Sequence, residues 1–188
     1  MSAYLDQRGQ THICTREPGG TPVAEKLREI ALSGGLSALT TALIMNAARR
    51  DHLEKTILPA LERGDWVLCD RFADSTRAYQ ATMGGLDPFV LDDLEVMVVG
   101  ENQPDLTLIL DAPPADLLER RRGRGGATDA FESRDMEFHQ SIRAEFLGIA
   151  DRAPARCRVL DALLPEADLA NAAIAAIKHF ESEHKGDV

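Results

Sequence analysis

An acidic and a basic residue stand together at the end of two short apolar segments of this sequence. The segment WVLC is followed by Asp70 and Arg71, and the segment THICT is followed by Arg16 and Glu17. A carboxylate at a strand end can hold a magnesium ion, and a neighbouring guanidinium can bind a phosphate through two parallel hydrogen bonds. These residue types predict phosphate chemistry, with Asp70 as the metal ligand and Arg71 as the phosphate ligand.

The residues that follow Arg71 supply further hydrogen-bonding groups. In the predicted helix DSTRAYQAT, Ser75, Thr76, Tyr79 and Gln80 lie within about a turn of one another. They could offer hydroxyls, an amide and a ring to a single ligand. The alternative is that the strand-end aspartate only caps this helix and that these side chains form a solvated polar face.

Two other clusters could complete such a site. Arg120, Arg122 and Arg124 alternate just before two glycines, and an arginine-rich loop can close over a triphosphate and neutralise the phosphoryl group in transfer. Arginines at a solvated helix end, favoured by the helix dipole, would look the same. Arg49 follows Met45 by four residues, so both can face one pocket from a helix.

Short apolar strands alternate with longer helical segments along the 188 residues. The stretch from Ser37 to Gly64 is predicted to be helical, with a bend or break near Pro59. This alternation predicts an α/β fold whose parallel sheet is covered by helices on both faces. Ligands of such sheets bind beyond the carboxyl ends of the strands, where the polar pairs fall together with Asp111 and Asp161.

Composition restricts the partners. The formal net charge of −10 disfavours nucleic acid and anionic membranes, which would both be repelled, and no apolar run has the length needed to cross a bilayer. Three widely spaced cysteines predict reduced thiols and a cytoplasmic protein. Cys14 and Cys69 each fall within a predicted strand, so we expect both to be buried.

The order of these segments resembles the bacterial type of thymidylate kinase over nearly the whole chain. The segments TREPGGTPVAEKLREI and DRFADSTRAYQ are the most specific, and PDLTLILD, RGRGGATDAFE and RVLDA support them. The resemblance implies a P-loop NTPase-like three-layer sandwich formed by one domain, residues 1–188, that assembles as a homodimer. It also implies transfer of the γ-phosphoryl group of Mg-ATP to dTMP, giving dTDP and ADP.

Residue roles follow from the resemblance at the phosphate and sugar end of the substrate. Asp70 would position Mg²⁺, and Arg71 would hold the acceptor phosphate of dTMP. Pro18 would pack on the nucleoside, with Glu17 close to the sugar and the metal. A lid over ATP, about residues 120–131, would contain the three arginines Arg120, Arg122 and Arg124.

The resemblance also implies how the base is recognised. Arg49 would hydrogen-bond the thymine edge, and Ser75 and Thr76 would help to read the base. Tyr79 would crowd the 2′ position of the sugar and disfavour a ribonucleotide, with Gln80 beside it.

The chain departs from the pattern of that family in three places. The family begins with a central strand and a G-x-x-x-x-G-K-[ST] loop, and none of the four lysines here follows a glycine. Met45 stands where a phenylalanine usually stacks on thymine, and Ala130 stands where the lid usually has an arginine. We expect Met1 to be an internal methionine of a longer reading frame, and the printed chain to phosphorylate dTMP poorly. The alternatives are a non-catalytic nucleotide-binding or interaction protein derived from such a kinase, and a kinase of another monophosphate.

Overall fold

A computed structural model describes residues 1–84, 86–124 and 135–184, without the side chains at 83–84 and 121–124. The chain divides into two compact units, one formed by residues 2–103 and one by the described residues from Pro104 onward. Each unit contains one parallel pair of strands with helices packed against it.

The first unit follows the predicted alternation of helices and strands. Its elements are α1 (Ser2–Gln7), β1 (His12–Arg16), α2 (Pro22–Leu32), α3 (Ala38–His52), a π-helical stretch (Leu53–Ile57), α4 (Leu58–Glu62), β2 (Trp66–Asp70), α5 (Ala73–Gly84) and α6 (Pro88–Val98). The parallel partners β1 and β2 pair residue by residue from His12 with Trp66 to Arg16 with Asp70. The sequence-based prediction of parallel pairing is confirmed.

Local sequence explains where α2 begins. Thr21 has an extended backbone, and its hydroxyl oxygen accepts a hydrogen bond from the backbone N–H of Ala24 at 3.0 Å. Pro22 follows at the first helical position, where its missing N–H costs nothing. Thr21 and Pro22 therefore fix the point at which the preceding loop ends and α2 begins.

The long helical stretch is interrupted close to the proline that was expected to bend it. Residues Leu53–Ile57 adopt π-helical hydrogen bonding before the chain resumes as α4. Pro59 has no N–H to donate, and its ring crowds the carbonyl of Lys55, so the regular ladder is lost in the turn that precedes it. The predicted irregularity is confirmed.

Small residues allow the helices of the first unit to approach closely. The buried alanines of α2 and α3 are Ala24, Ala31, Ala42 and Ala48. Leu5, Leu53 and Val99 fill the remaining interior and are at most 1 % exposed. Helix α3 contacts α2, α5 and α6, so it is the central helix of this unit.

The second unit consists of β3 (Thr107–Asp111), α7 (Pro114–Arg124), α8 (Met136–Arg152), β4 (Cys157–Asp161) and α9 (Glu166–Glu183). Strands β3 and β4 are parallel, with Ile109 opposite Val159. Leu110 is 58 % exposed and Val159 is 45 % exposed, so the described residues of this unit do not cover both faces of its sheet.

One expectation about the cysteines is wrong. Cys14 is exposed, Cys69 is partly exposed, and only Cys157 is buried. Cys14 lies in β1 but on the part of the strand surface that its neighbours in the unit leave open. Membership of an apolar strand buries a side chain only where another element packs on that face.

Candidate active site

The carboxyl ends of β1 and β2 bring the two predicted polar pairs together. Arg16 lies opposite Asp70 in the sheet, and the backbone N–H of Glu17 donates to the carbonyl oxygen of Asp70 at 2.9 Å. The Asp70 side chain is exposed at this edge. The prediction that these residues meet at one sheet edge is confirmed.

Glu17 turns inward and forms a buried ion pair with Arg49 of α3. The Arg49 Nε donates to Glu17 Oε2 at 2.7 Å, and each residue is 3 % exposed. Burying two charges is costly unless each is paired and hydrogen-bonded. This requirement is met for Arg49, whose Nη1 donates to Asn46 Oδ1 at 3.1 Å and whose Nη2 donates to Thr76 Oγ1 at 2.8 Å.

A small cleft opens beside this ion pair. Its walls come from α3, α5 and α6, and include Asn46, Arg49, Thr76, Arg77, Leu91 and Glu95. Arg77 is held in place by ion pairs to Asp92 and to Glu95, the latter at 2.9 Å. These contacts raise the pKa of Arg77 above its ordinary value against the opposing effect of burial, so the wall stays charged.

Gln80 is buried one turn beyond Thr76 on the same helix. It is 1 % exposed, and its Oε1 has no hydrogen-bond partner among the described residues. Buried polar atoms are nearly always paired, because an unpaired one costs about 1–3 kcal/mol. Gln80 Oε1 is therefore an unsatisfied buried acceptor on the helix that carries the predicted base-reading residues.

Arg71 begins the turn between β2 and α5 in an unusual backbone conformation. Its φ is +67°, in the left-handed region that non-glycine residues seldom adopt. The thiol of Cys69 donates to the Arg71 carbonyl oxygen across 3.1 Å, and the Arg71 guanidinium lies 5.5 Å from the centre of the Tyr79 ring. Burial raises the pKa of Cys69 to about 12, so the thiol keeps the proton that it donates.

The loop between β1 and α2 is fixed by its own charges. Arg16 donates to both oxygens of Glu25, the shorter contact measuring 2.9 Å, and the backbone N–H of Gly20 donates to Glu25 Oε1 at 3.2 Å. The N–H of Gly20 is the main reason that the pKa of Glu25 is below its ordinary value. The Glu17–Pro18 peptide bond within this loop is cis.

The remaining predicted residues of the first unit lie on the same elements. Pro18, Met45, Ser75 and Tyr79 are each partly exposed. Tyr79 is linked to the phosphate end of the site, since its hydroxyl accepts from Arg71 Nη1 at 3.4 Å. No described contact ties Met45 or Ser75 to the buried ion pair, so their roles remain predictions.

The described part of the predicted lid, residues 120–124, belongs to the second unit, and only its first arginine has a described side chain. Arg120 donates to the carbonyl oxygens of Ala162 and Leu163 at 2.6 and 2.9 Å, which ties α7 to the loop after β4. The side chains of Arg122 and Arg124, and the segment 125–134, lie outside the described residues.

The other strand-end carboxylates have structural partners. Asp111 accepts two hydrogen bonds from Arg143 of α8, at 2.7 and 2.8 Å, and these lower its pKa. Asp161 accepts from the backbone N–H of Leu163 at 2.8 Å. Asp161 therefore anchors the turn after β4, whereas Asp111 ties β3 to α8.

Sequence reasoning missed His52, Thr15 and Asn46, which complete the buried network. His52 Nδ1 lies 3.1 Å from Glu17 Oε1, and its Nε2 lies 2.7 Å from Thr15 Oγ1. A signal was present, because His52 follows Arg49 by three residues and so shares its helix face. Thr15 sits within an apolar strand and offered no comparable signal.

The described residues lack two further features, a metal cluster and a membrane span. They contain no group of three or more His, Cys, Asp or Glu side chains placed to hold a metal. They also contain no helix long and apolar enough to cross a membrane.

Parallel strands with helices packed against them, and an Asp-Arg pair at the carboxyl end of β2, are features of an α/β protein with a polar sheet edge. A solved thymidylate kinase from Ehrlichia chaffeensis has the same fold, with a TM-score of 0.75 and 32 % identity over 94 % of this chain and 86 % of that one. The expected P-loop NTPase-like fold class is confirmed.

Sequence comparison identifies the family. The Thymidylate kinase family model matches residues 1–173. A thymidylate kinase of Caulobacter vibrioides is 49 % identical over 94 % of this chain and 86 % of its own length. One from a Bradyrhizobium species is 48 % identical over 86 % of this chain and 74 % of its own length. The chain belongs to the thymidylate kinase family, whose members phosphorylate dTMP to dTDP with ATP.

Proposed function

We propose that this chain binds dTMP in the cleft beside the Glu17–Arg49 pair and transfers the γ-phosphoryl group of ATP to it. The assignment of the base rests on three polar side chains, those of Arg49, Thr76 and Gln80. Arg49 supplies donors and Gln80 supplies an unpartnered buried acceptor. Thymine presents an acceptor at O4 beside a donor at N3, which this set matches.

The same set disfavours a cytosine nucleotide. Cytosine presents an amino donor at C4 and an acceptor at N3, so its amino group would face the Arg49 guanidinium, which cannot accept. A ligand that leaves buried polar groups of the site unpaired is rejected far more strongly than a ligand that only lacks an apolar contact. This argument supports dTMP over the cytidine monophosphates among the alternative substrates.

Arg71 and Tyr79 support the placement of the phosphate and the sugar. Arg71 would hold the acceptor phosphate, and the Tyr79 ring, 5.5 Å from that guanidinium, would crowd the 2′ position of the sugar. Such a reaction needs positioning and neutralisation of charge more than covalent chemistry. Ser75, Pro18 and Met45 would complete the wall around the nucleoside.

The residues present fit a magnesium ion brought in with ATP. Mg²⁺ prefers oxygen ligands, keeps several waters, and needs only one or two protein carboxylates beside the phosphates. Asp70 offers an exposed carboxylate at the strand end, with Glu17 the next acidic residue at that edge. Bound Mg²⁺ would neutralise charge on the transferring phosphoryl group, and Asp70 would hold it there.

Arg120, Arg122 and Arg124 are proposed to face the ATP phosphates from the lid. Arg120 supports this only indirectly, because its described hydrogen bonds go to the carbonyls of Ala162 and Leu163. To reach the phosphates, Arg120 would exchange these two hydrogen bonds for bonds to the nucleotide.

The activity is tested by calorimetric titration with dTMP and dCMP, together with ADP release from Mg-ATP with and without dTMP. We expect dTMP to bind, dCMP to bind at least about a hundredfold more weakly, and ADP release to depend on dTMP. Arg71→Ala should abolish that dependence, whereas Arg63→Ala, an exposed arginine paired only to Asp65 nearby, should not. Binding of dTMP without ADP release would indicate a nucleotide-binding protein without kinase activity. No binding of dTMP would overturn the proposal.

A homodimer is the proposed assembly. Exposed apolar side chains lie on single faces of three neighbouring helices: Val23 and Ile30 of α2, Leu39 and Leu43 of α3, and Phe89, Val96 and Met97 of α6. Helix α3 packs on both of the others. Apolar side chains exposed on three adjacent helices are typical of a protein–protein interface. The proposed partner at this interface is a second copy of this chain.

A further inference from the structure

The His52 side chain is fully buried, and each of its ring nitrogens has a hydrogen-bond partner. Its Nδ1 lies 3.1 Å from Glu17 Oε1, and its Nε2 lies 2.7 Å from Thr15 Oγ1. A carboxylate can only accept, so Nδ1 is the donor to Glu17. One imidazole thus connects the end of β1 to the carboxylate that pairs with Arg49.

Glu17 uses both of its oxygens in this arrangement. Oε1 accepts from His52 and Oε2 accepts from Arg49 Nε at 2.7 Å. A carboxylate held at both ends has a fixed plane, in the way that a partner beyond the direct ligand orients a ligating group. Without His52, the carboxylate would be free to rotate about its last bond while still paired to Arg49.

Glu17 is one of three residues that orient the Arg49 guanidinium. Three of the five N–H groups of Arg49 donate to Glu17, Asn46 and Thr76. Two N–H groups remain, one on each terminal nitrogen, and Arg49 lines the cleft. The direction of these two N–H groups is fixed by the three hydrogen bonds that orient the guanidinium.

The loop before α2 closes over His52. A Cβ on Gly20 would lie 2.3 Å from His52 Nε2 and 2.7 Å from Thr15 Oγ1, so the backbone there is in direct contact with the imidazole. The position of the ring therefore depends on three separate segments: β1, α3 and this loop.

We propose that His52 is a positioning residue for recognition of the base. It fixes Glu17, which fixes Arg49 in the orientation that presents its two remaining N–H groups to the nucleotide. This inference rests on the proposed binding of dTMP in the cleft, and it assigns a role to a residue that does not itself touch the substrate.

The test compares variants that remove single links. His52→Leu fills the space without a hydrogen bond, and His52→Asn keeps a donor near the position of Nδ1. Thr15→Val removes the hydroxyl that holds Nε2. The matched control is Thr56→Val, because Thr56 also anchors the loop, through a 3.1 Å bond to the Gly20 carbonyl oxygen, but is not a hydrogen-bond partner of the described His52 ring.

We expect the dissociation constant of dTMP, measured by calorimetry, to rise about tenfold in His52→Leu and about threefold in Thr15→Val, as for loss of orienting hydrogen bonds. His52→Asn should stay within about threefold of the parent chain, and Thr56→Val should not change it. Folding of each variant is checked by urea unfolding. Equal affinity in folded His52→Leu, or equal losses in Thr15→Val and Thr56→Val, would overturn the inference. If His52→Leu does not fold, the two threonine variants and His52→Asn decide the matter.

A second readout does not depend on dTMP. The Arg49 Nε–H proton, assigned in a ¹⁵N spectrum by its loss in Arg49→Lys, should exchange slowly in the parent chain and faster in His52→Leu than in Thr56→Val. Unchanged exchange in folded His52→Leu and in Thr15→Val would overturn the positioning role even if dTMP binds. Failure of the parent chain to bind dTMP, with the exchange pattern as expected, would instead refute the proposed function and leave the network intact.

Discussion

At the scale of single residues, Gln80 gives the most direct test of the proposed binding of dTMP. An unpaired buried oxygen is a cost to the free protein, and ligand sites are where such costs are usually retained. Gln80→Met, which has nearly the same shape, should therefore leave the melting temperature unchanged or raise it by about 1–3 °C. It should also weaken dTMP binding by about tenfold or more.

The control for Gln80 is Thr82→Val on the same helix, since Thr82 donates to the Ala78 carbonyl oxygen at 2.9 Å. It should leave affinity for dTMP unchanged. Differential scanning calorimetry and dTMP titration check both variants. A Gln80→Met variant that is less stable but binds dTMP normally would show that the amide has a structural partner.

Cys69 and Cys14 should differ sharply in reactivity. With the pKa of Cys69 raised to about 12 by burial, only about one molecule in 10⁴ carries the thiolate at pH 8. Cys14 is exposed. Iodoacetamide at pH 8, followed by peptide mass spectrometry, should modify Cys14 while Cys69 and the buried Cys157 stay unmodified. Modification of Cys69 at the rate of Cys14 would contradict the environment described for the Arg71 turn.

At the scale of elements, the sequence was sufficient to place the helices and strands. Apolar runs of strand length and Pro59 each have a local physical consequence, and each appears where it was predicted. Glu17 and Asp70 lie close together because the carboxyl ends of parallel strands lie at the same edge of a sheet.

The buried network could not be predicted in this way. Glu17, His52 and Thr15 come from a loop, a helix and a strand, and their contacts depend on how α3 packs on β1. Local sequence does not encode that packing. The same is true of Asp111, whose place at a strand end suggested a site carboxylate, whereas its side chain pairs with Arg143 of α8. Whether the chain is a single domain, and what roles Met45, Ser75 and the lid arginines have, stay predictions.

At the scale of elements, Gly20 is expected to be more sensitive to substitution than Gly34. It has φ +85°, and an added Cβ would meet His52 at 2.3 Å. Gly34 has φ +83° but nothing within 4 Å of such a Cβ, so it carries the backbone strain alone. Gly20→Ala should cost about 2–4 kcal/mol of unfolding free energy, and Gly34→Ala about 1 kcal/mol. Urea unfolding measures both, and equal losses would mean that the loop can move away from His52.

The Asp111–Arg143 pair makes a pH-dependent contribution to the second unit. The pKa of Asp111 is lower in the folded chain than its ordinary 3.8, chiefly because Arg143 donates to it. A lowered carboxyl pKa stabilises the fold above that ordinary value, and the contribution is lost as the pH falls through the folded pKa. Asp111→Asn should lower the melting temperature by about 2 °C at pH 7, and the difference should shrink below about pH 4.

The control for this pair is Asp105→Asn, an exposed aspartate just before β3. Its melting temperature should stay close to that of the parent chain at neutral pH. A constant deficit of Asp111→Asn from pH 7 down to pH 3.5 would indicate that the substitution acts through packing and not through charge.

At the scale of the whole molecule, charge and apolar surface act against each other. Each chain carries a formal charge of −10, so two copies repel at long range. The exposed apolar faces of α2, α3 and α6 favour association at short range. Salt screens the first effect and leaves the second, so the proposed homodimer should tighten as ionic strength rises from about 0.01 to 0.15 M.

Single substitutions on α6 test this assembly directly. Val96 is 75 % exposed beside Met97, and Val96→Asp places a charge in the centre of the proposed interface. Sedimentation velocity should show a dimer for the parent chain and a monomer for Val96→Asp. Leu61→Asp, at a 46 % exposed leucine of α4 outside those faces, should remain dimeric. If Leu61→Asp dissociates the dimer and Val96→Asp does not, the interface lies on α4. If the parent chain is monomeric at every salt concentration, the apolar faces serve some other partner.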